Sequence, residues 1–190
     1  MTASLPMIVG ISGASGVIYG IRALEILRTL GIETHLVVTK SAEMTMRSEV
    51  DIAPRDVKAL ADHCHPIGDV GASIASGSFR TRGMLILPCS IRTMGEIATG
   101  VTSSLLPRAA DVILKERRRL VLGLRETPLH LGHMRSMTAV TEAGAIVAPL
   151  VPAFYTRPTE ITQIIDHSVG RLLDLFDIDA GIAGRWAGRG

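Results

Sequence analysis

An apolar run, Ile8-Val9-Gly10-Ile11, leads directly into Ser12-Gly13-Ala14-Ser15-Gly16, and an amphipathic segment carrying Tyr19, Ala23, Leu24, Leu27 and Leu30 follows at once. That order is a strand, a tight turn and a helix N-terminus. Backbone N–H groups left unpaired at such a terminus, with the positive end of the helix dipole, favour an anion such as a phosphate. Glycine lets the backbone approach a ligand closely, and Ser12 or Ser15 can add a hydroxyl donor. The spacing is G-x-x-G-x-x-G, which is neither the dinucleotide G-x-G-x-x-G nor a P-loop with its lysine. A turn that merely connects strand to helix reads the same way.

A second set of residues is cationic. Between Leu105 and Glu126 stand six basic residues (Arg108, Lys115, Arg117, Arg118, Arg119 and Arg125) against three acids, and Arg108, Lys115 and Arg119 recur near helical spacing. Arg117 to Arg119 suit a solvated face or a subunit contact, whereas Arg125 follows a short apolar strand and points toward its ligand edge. The segment Val151-Pro-Ala-Phe-Tyr-Thr-Arg-Pro158 holds two of the six aromatics between prolines. Those prolines stiffen the loop around the phenol of Tyr155, and a packed crossover loop is the alternative reading. Arg171 has Ile164 and Leu175 at helical spacing, so it is expected beside an apolar face with an anionic partner. Glu49 and Glu126 are carboxylates that can move protons or simply pair with surface cations. His130 and His133 have no third ligand at matching spacing, so no metal site is expected.

The elements that must position these groups alternate. Strand-like runs fall at Met7–Ile11, Thr34–Val38, Met84–Leu87, Leu120–Leu122 and Ala145–Ala148. Helical periodicity fills Val17–Leu30, Ser41–Ser48, Arg55–His63, Ser90–Ala98, Leu105–Arg117, Leu131–Glu142 and Thr159–Phe176. Residues 63–78 carry no clear pattern. The alternation predicts an α/β fold, a parallel sheet covered by helices on both faces. Ligands of such sheets lie beyond the carboxyl ends of the strands, near a topological switch point. There the chain delivers Ser12–Gly16, Thr39-Lys40-Ser41, Pro88-Cys-Ser-Ile-Arg-Thr93, Arg125-Glu-Thr-Pro128 and Pro149–Pro158. No repeat or interior linker interrupts residues 1–179, which read as one domain. Residues 180–190 form a glycine-rich tail.

Composition narrows the function classes. Hydrophobic residues make up 47%, yet no apolar run reaches the ~18 residues of a membrane span and no signal-peptide pattern opens the chain. The surplus apolar surface predicts burial between copies in a homo-oligomer. Aromatics at 3% argue against base-stacking nucleic-acid modules. Seventeen arginines stand against three lysines, through genome composition or a need for guanidinium forks at phosphate. Cys64 and Cys89 lack metal spacing and suit a reducing, cytoplasmic compartment. After the second strand a dinucleotide fold calls for an acid at the ribose, and Thr39-Lys40 stands there instead. Lys40 leaves an NADP enzyme open, but a mononucleotide phosphate fits better, and FMN is the common mononucleotide of such sheets.

Five ordered motifs carry a family resemblance: Gly10-Ile-Ser-Gly-Ala-Ser-Gly16, Pro88-Cys-Ser-Ile-Arg-Thr-Met-Gly95, Arg108 through Arg119, Leu124-Arg-Glu-Thr-Pro-Leu129 and Pro152-Ala-Phe-Tyr-Thr-Arg-Pro158. The chain resembles the UbiX/Pad-type flavin prenyltransferases over roughly residues 7–186. The resemblance implies a Rossmann-like (flavodoxin-like) three-layer flavoprotein fold, usually a dodecamer with sites at subunit contacts. It implies a metal-independent transfer of the dimethylallyl group of dimethylallyl monophosphate to N5 and then C6 of reduced FMN. The prenylated FMN would pass to a UbiD-type decarboxylase. By the same resemblance Gly13, Ala14, Ser15, Thr39, Ser90, Ile91, Arg92, Thr93 and Arg125 would hold FMN. Arg108, Lys115, Tyr155 and Arg171 would grip the prenyl phosphate, and Trp186 would close the site as the tail folds over it. Ser15, Glu49 and Glu126 would serve proton transfer. Two other readings remain: a storage or delivery protein for FMN, and a flavin-dependent decarboxylase of aromatic acids or cysteinyl peptides. Related cysteine decarboxylases carry Pro-Ala-Ser-Ala-Asn-Thr where this chain has Pro88-Cys-Ser-Ile-Arg-Thr93, which disfavours the cysteinyl reaction.

Overall fold

Strands β1 (Met7–Ile11), β4 (Gly83–Cys89) and β5 (Arg119–Leu124) are apolar at almost every position because both of their faces are covered. In β1, Met7, Val9 and Ile11 point into one core with Leu85 and Leu87, while Ile8 points into a second core with Met84 and Ile86. The computed structural model describes residues 5–184. Its strands, with β2 (Thr34–Val38), β3 (His63–His65) and β6 (Ile146–Val147), form one parallel sheet in the order β3-β2-β1-β4-β5-β6.

Helices α1 (Val17–Thr29), α2 (Lys40–Glu49), α3 (Pro54–Lys58) and α7 (Ile161–Asp174) contribute to the first core. Helices α4 (Ile91–Ala98), α5 (Leu105–Lys115) and α6 (Leu131–Glu142) contribute to the second. The expected α/β, flavodoxin-like three-layer architecture is therefore present. The chain reverses direction of strand addition between β1 and β4, which places the switch point beside the Ser12–Gly16 turn.

Two elements differ from the sequence reading. The helix expected over Arg55–His63 ends at Lys58, and His63–His65 is a sixth strand at the edge. The cause is a tertiary clamp. The Asp62 carboxylate accepts from the Thr34 N–H at 2.8 Å and from its hydroxyl at 3.0 Å, which holds the acid below its usual range and brings the next residues alongside β2. A three-residue edge strand with polar side chains has no periodicity to detect. Within the patternless stretch, Ser73–Ala75 forms a single 3-10 turn that buries Ile74.

Helix α1 sits very close to the sheet. A Cβ on Gly20 would fall on the Leu87 carbonyl oxygen and lie 3.0 Å from the Ile11 side chain. Since the carbonyl belongs to a central strand, the helix itself would have to move. Gly20→Ala is expected to cost about 2 kcal/mol, overpacking exceeding the gain in helix propensity. In a thermal melt this reads as a Tm lower by roughly 5 °C, and an unchanged Tm would contradict the close approach. On its outer side α1 is bound to α7 through Arg22, whose guanidinium donates to Asp166 at 2.6 and 3.3 Å.

The two cysteines occupy opposite environments. Cys89 is fully buried at the end of β4, and desolvation pushes its thiol up to about 12. Cys64 is exposed on β3. A thiol with that pKa is ionised to only about one part in ten thousand at pH 8. One modification per native chain, at Cys64, is therefore expected from a thiol reagent, with Cys89 reacting only in denaturant. Peptide mass analysis checks the order.

Candidate active site

Ser12 ends β1 completely buried, so it is no ligand donor, contrary to the sequence expectation. Its hydroxyl donates to the Pro88 carbonyl at 2.8 Å and accepts from the Ser90 N–H at 2.7 Å, which joins the carboxyl ends of β1 and β4. That link fixes the next turn. Gly13 packs so closely on Ser41 that a Cβ would come within 2.5 Å of the Ser41 side chain. Ser41 Oγ lies 3.2 Å from Thr39 Oγ1, and Thr39 caps α2 by accepting from the Ala42 N–H at 3.1 Å. Ser90 caps α4 in the same way, accepting from the Thr93 N–H at 3.2 Å and donating to the Thr93 hydroxyl at 3.1 Å. Three helix N-termini, those of α1, α2 and α4, thus meet at the switch point.

The N-terminus of α1 holds an anion supplied by the chain itself. Glu49 Oε2, at the end of α2, accepts from the Gly16 N–H at 2.8 Å and the Val17 N–H at 3.1 Å. Those donors, read from the sequence as a phosphate site, are taken. Gly16 reaches this geometry with φ 93°, a conformation that favours glycine. Among the described residues the N–H groups of Gly13 and Ser15 make no hydrogen bond, so they remain for a ligand. Ala14 is buried, and its N–H donates to the Ser12 carbonyl at 2.9 Å.

Beyond these caps a cavity of about 250 Å³ is lined by Thr39, Lys40, Ser41, Ser90, Arg92 and Thr93, with Ser104, Leu106 and Pro107 from the start of α5 closing it. Hydroxyls and two cations around an apolar floor suit a phosphate on a polar chain. Ile91 begins α4 beside them, and exposed Arg92 pairs with Glu96 at 3.0 Å. The Arg125 N–H donates to the Cys89 carbonyl at 3.1 Å, so Arg125 and Glu126 leave the sheet next to this cavity with exposed side chains. Glu126 accepts from the Thr127 N–H at 3.0 Å. Gly13, Ala14, Ser15, Thr39, Glu49, Ser90–Thr93, Arg125 and Glu126 therefore share one sheet edge.

The residues assigned to a second anion are dispersed. Arg108 lies in the first turn of α5 and pairs with Asp111 at 3.3 Å. Lys115 ends the same helix, at the amino edge of the sheet, paired with Glu116 at 2.7 Å. About 10 Å of helix separates the two. Tyr155 is exposed, and its hydroxyl lies 2.9 Å from Nε2 of buried His167. Arg171 is not shielded by apolar neighbours as its spacing implied. Its side chain is 55% exposed and donates to Asp174 at 2.6 Å, since the guanidinium reaches past the α7 stripe that Val169, Leu172 and Leu173 bury. It borders a second cavity of about 240 Å³ with Pro149, Leu150, Val151 and His167, on the α7 side. Sequence reasoning missed His167 and Ser104; the polar residue on the apolar stripe of α7 was the available signal for the first. Trp186 lies outside the described residues.

His130 and His133 are a helix cap. His130 Nδ1 accepts from the Gly132 N–H at 3.0 Å, and the two rings stack with centroids 3.5 Å apart. A cavity of about 590 Å³ lies at the opposite, amino edge, bordered by Arg82, Arg117, Arg118 and Arg119. It is remote from the helix N-termini, and Arg118 and Arg119 are engaged there by the Gly77 carbonyl and Asp177. The carboxyl edge is the candidate site.

Comparison with known proteins shows the family. A family model described as Flavoprotein matches residues 1–186. The flavin prenyltransferase UbiX of Thauera aromatica is 57% identical over 182 residues, covering 96% of this chain and 94% of that protein. AnUbiX (PadA1), solved with FMN and dimethylallyl pyrophosphate, superposes with a TM-score of 0.97 at 50% identity, over 98% of this chain and 100% of that one. A dodecameric FMN-dependent Ubix-like decarboxylase from Escherichia coli O157:H7 superposes at 0.95 with 44% identity, over 97% and 100%.

Proposed function

Since the chain belongs to the Flavoprotein family and, within it, to the UbiX flavin prenyltransferases, we infer that it joins the dimethylallyl group of dimethylallyl monophosphate to N5 and C6 of reduced FMN. The observation that carries the reading on this chain is the switch-point crevice, where Thr39, Ser41, Ser90 and Thr93 surround a cavity beside the unpaired N–H groups of Gly13 and Ser15. That donor set fits a flavin mononucleotide tail. Gly13, Ala14, Ser15, Thr39, Ser90–Thr93 and Arg125 would hold it. Bound reduced FMN supplies an electron-rich N5 as the prenyl acceptor.

The chain's own part is electrostatic and positional. As the allylic C–O bond breaks, negative charge grows on the leaving phosphate. Arg108, Lys115 and Arg171 offset it, and Tyr155 donates a hydrogen bond. Aligning the allylic carbon with the acceptor replaces an unfavourable encounter with a near-attack geometry. Ser15, Glu49 and Glu126 carry protons to and from the acceptor nitrogen and the phosphate. Within one chain Lys115 faces the wrong edge of the sheet, so copies of the chain must complete the phosphate grip. A dodecamer, the state of the Escherichia coli relative, would supply them. Residues 1–179 then act as one FMN-binding domain. The product would pass to a UbiD-type decarboxylase in the cytoplasm. No helix among the described residues is long and apolar enough to cross a membrane.

Anaerobic incubation with reduced FMN and dimethylallyl monophosphate, then mass analysis of the flavin, tests the reading. A gain of one five-carbon unit is expected; the pyrophosphate is the comparison donor. An unchanged but bound flavin would instead indicate storage.

A further inference from the structure

At the amino edge of the sheet, away from the FMN crevice, two parallel strands place four ligating side chains on one face. Glu33 and His35 alternate at the start of β2, and His63 and His65 alternate along β3. His35 and His63 are direct register partners, so all four point to the same side. Glu33 Oε1 lies 3.3 Å from His35 Nε2 and 3.2 Å from His63 Nε2, and the three ligand atoms all fall within 4.8 Å of one another. We propose that Glu33, His35 and His63 form a binding site for a borderline divalent transition ion, Zn²⁺ first among them.

The spacing is compatible with a shared cation as well as with the ion pairs seen here. Charge-assisted N–H···O bonds close to about 2.7–2.9 Å. Ligands around a tetrahedral zinc at 2.0–2.2 Å stand about 3.3 Å apart, the separation found here on both carboxylate edges. A two-imidazole, one-carboxylate set is also the donor chemistry that such ions prefer over magnesium or calcium. His65 supplies the supporting contact. Its Nε2 lies 2.8 Å from His35 Nδ1; in the tautomer where His35 Nδ1 carries the proton and donates it to His65, the His35 Nε2 lone pair is left for the metal. His35 is buried and anchors the group, whereas Glu33 and His63 are half-exposed and leave an open path and an open coordination position. The ion would staple the short edge strand β3 to β2. No single stretch of sequence displays the set, because its halves are almost thirty residues apart.

The test uses the full-length, tag-free protein stripped with chelator. Titration with Zn²⁺, followed by desalting and elemental analysis, is expected to give one ion per chain. Co²⁺ in its place should give the visible absorption of a tetrahedral site. His63→Ala and Glu33→Gln should each weaken Zn²⁺ binding at least about tenfold, as should the supporting His65→Ala. His133→Ala, in the other histidine pair, should change nothing. Circular dichroism checks that the variants fold, and the Zn²⁺-dependent rise in Tm should vanish in His63→Ala. Binding well below one equivalent, or full binding retained in both His63→Ala and Glu33→Gln, overturns the assignment.

Discussion

Replacing Arg171 by alanine is expected to lower prenyl transfer by about a hundredfold or more, while FMN remains bound. The guanidinium is 55% exposed and paired with Asp174 one turn away, so its removal takes nothing from the core that Val169, Leu172 and Leu173 build on the other side of α7. What it removes is a cation at the mouth of the apolar α7-side cavity. In the proposed reaction, a charge that grows only as the leaving phosphate departs would be stabilised there without reorganisation, so the loss should fall on kcat. Arg171→Lys keeps the charge but not the planar fork and should recover part of the rate. Single-turnover flavin mass analysis and flavin absorbance separate the outcomes. Loss of FMN with turnover intact would place Arg171 in the nucleotide site and end its assignment to the prenyl phosphate.

Substitution of Glu49 separates a structural role from a chemical one. Its carboxylate caps α1 through the Gly16 and Val17 N–H groups, and it lies on the edge that presents Ser15. Glu49→Gln keeps an acceptor oxygen for the cap but can no longer exchange a proton. We expect an unchanged Tm and a fall in turnover of about two orders of magnitude. Glu49→Ala loses the cap as well, at about 1 kcal/mol of stability. Wild-type turnover in Glu49→Gln would show that the carboxylate is only a cap.

The double role of Glu49 shows where reading by motif stops. The glycines and hydroxyls of the β1–α1 turn were legible as an anion-binding pattern, and the turn does bind an anion. That the first anion is the protein's own carboxylate follows from α2 folding back over α1, which no local spacing reveals. The same holds for Ser12, a hydroxyl in the right motif that tertiary packing turns inward to join β1 to β4. His130 and His133 take a role that no spacing announced: they cap α6 and stack on each other.

The chain's own order of residues was enough for the strand–helix alternation, the parallel sheet and the carboxyl edge on which ligand groups gather, because buried strands and amphipathic helices have local periods. Tertiary structure alone decided what depends on residues distant in the chain. It made β3 an edge strand through Asp62 and Thr34. It set Tyr155 against His167, put Lys115 at the far end of α5 from Arg108, and brought Glu33 and His35 beside His63. Side-chain constellations of this kind arise from strand register and helix packing, and neither is written in any one segment.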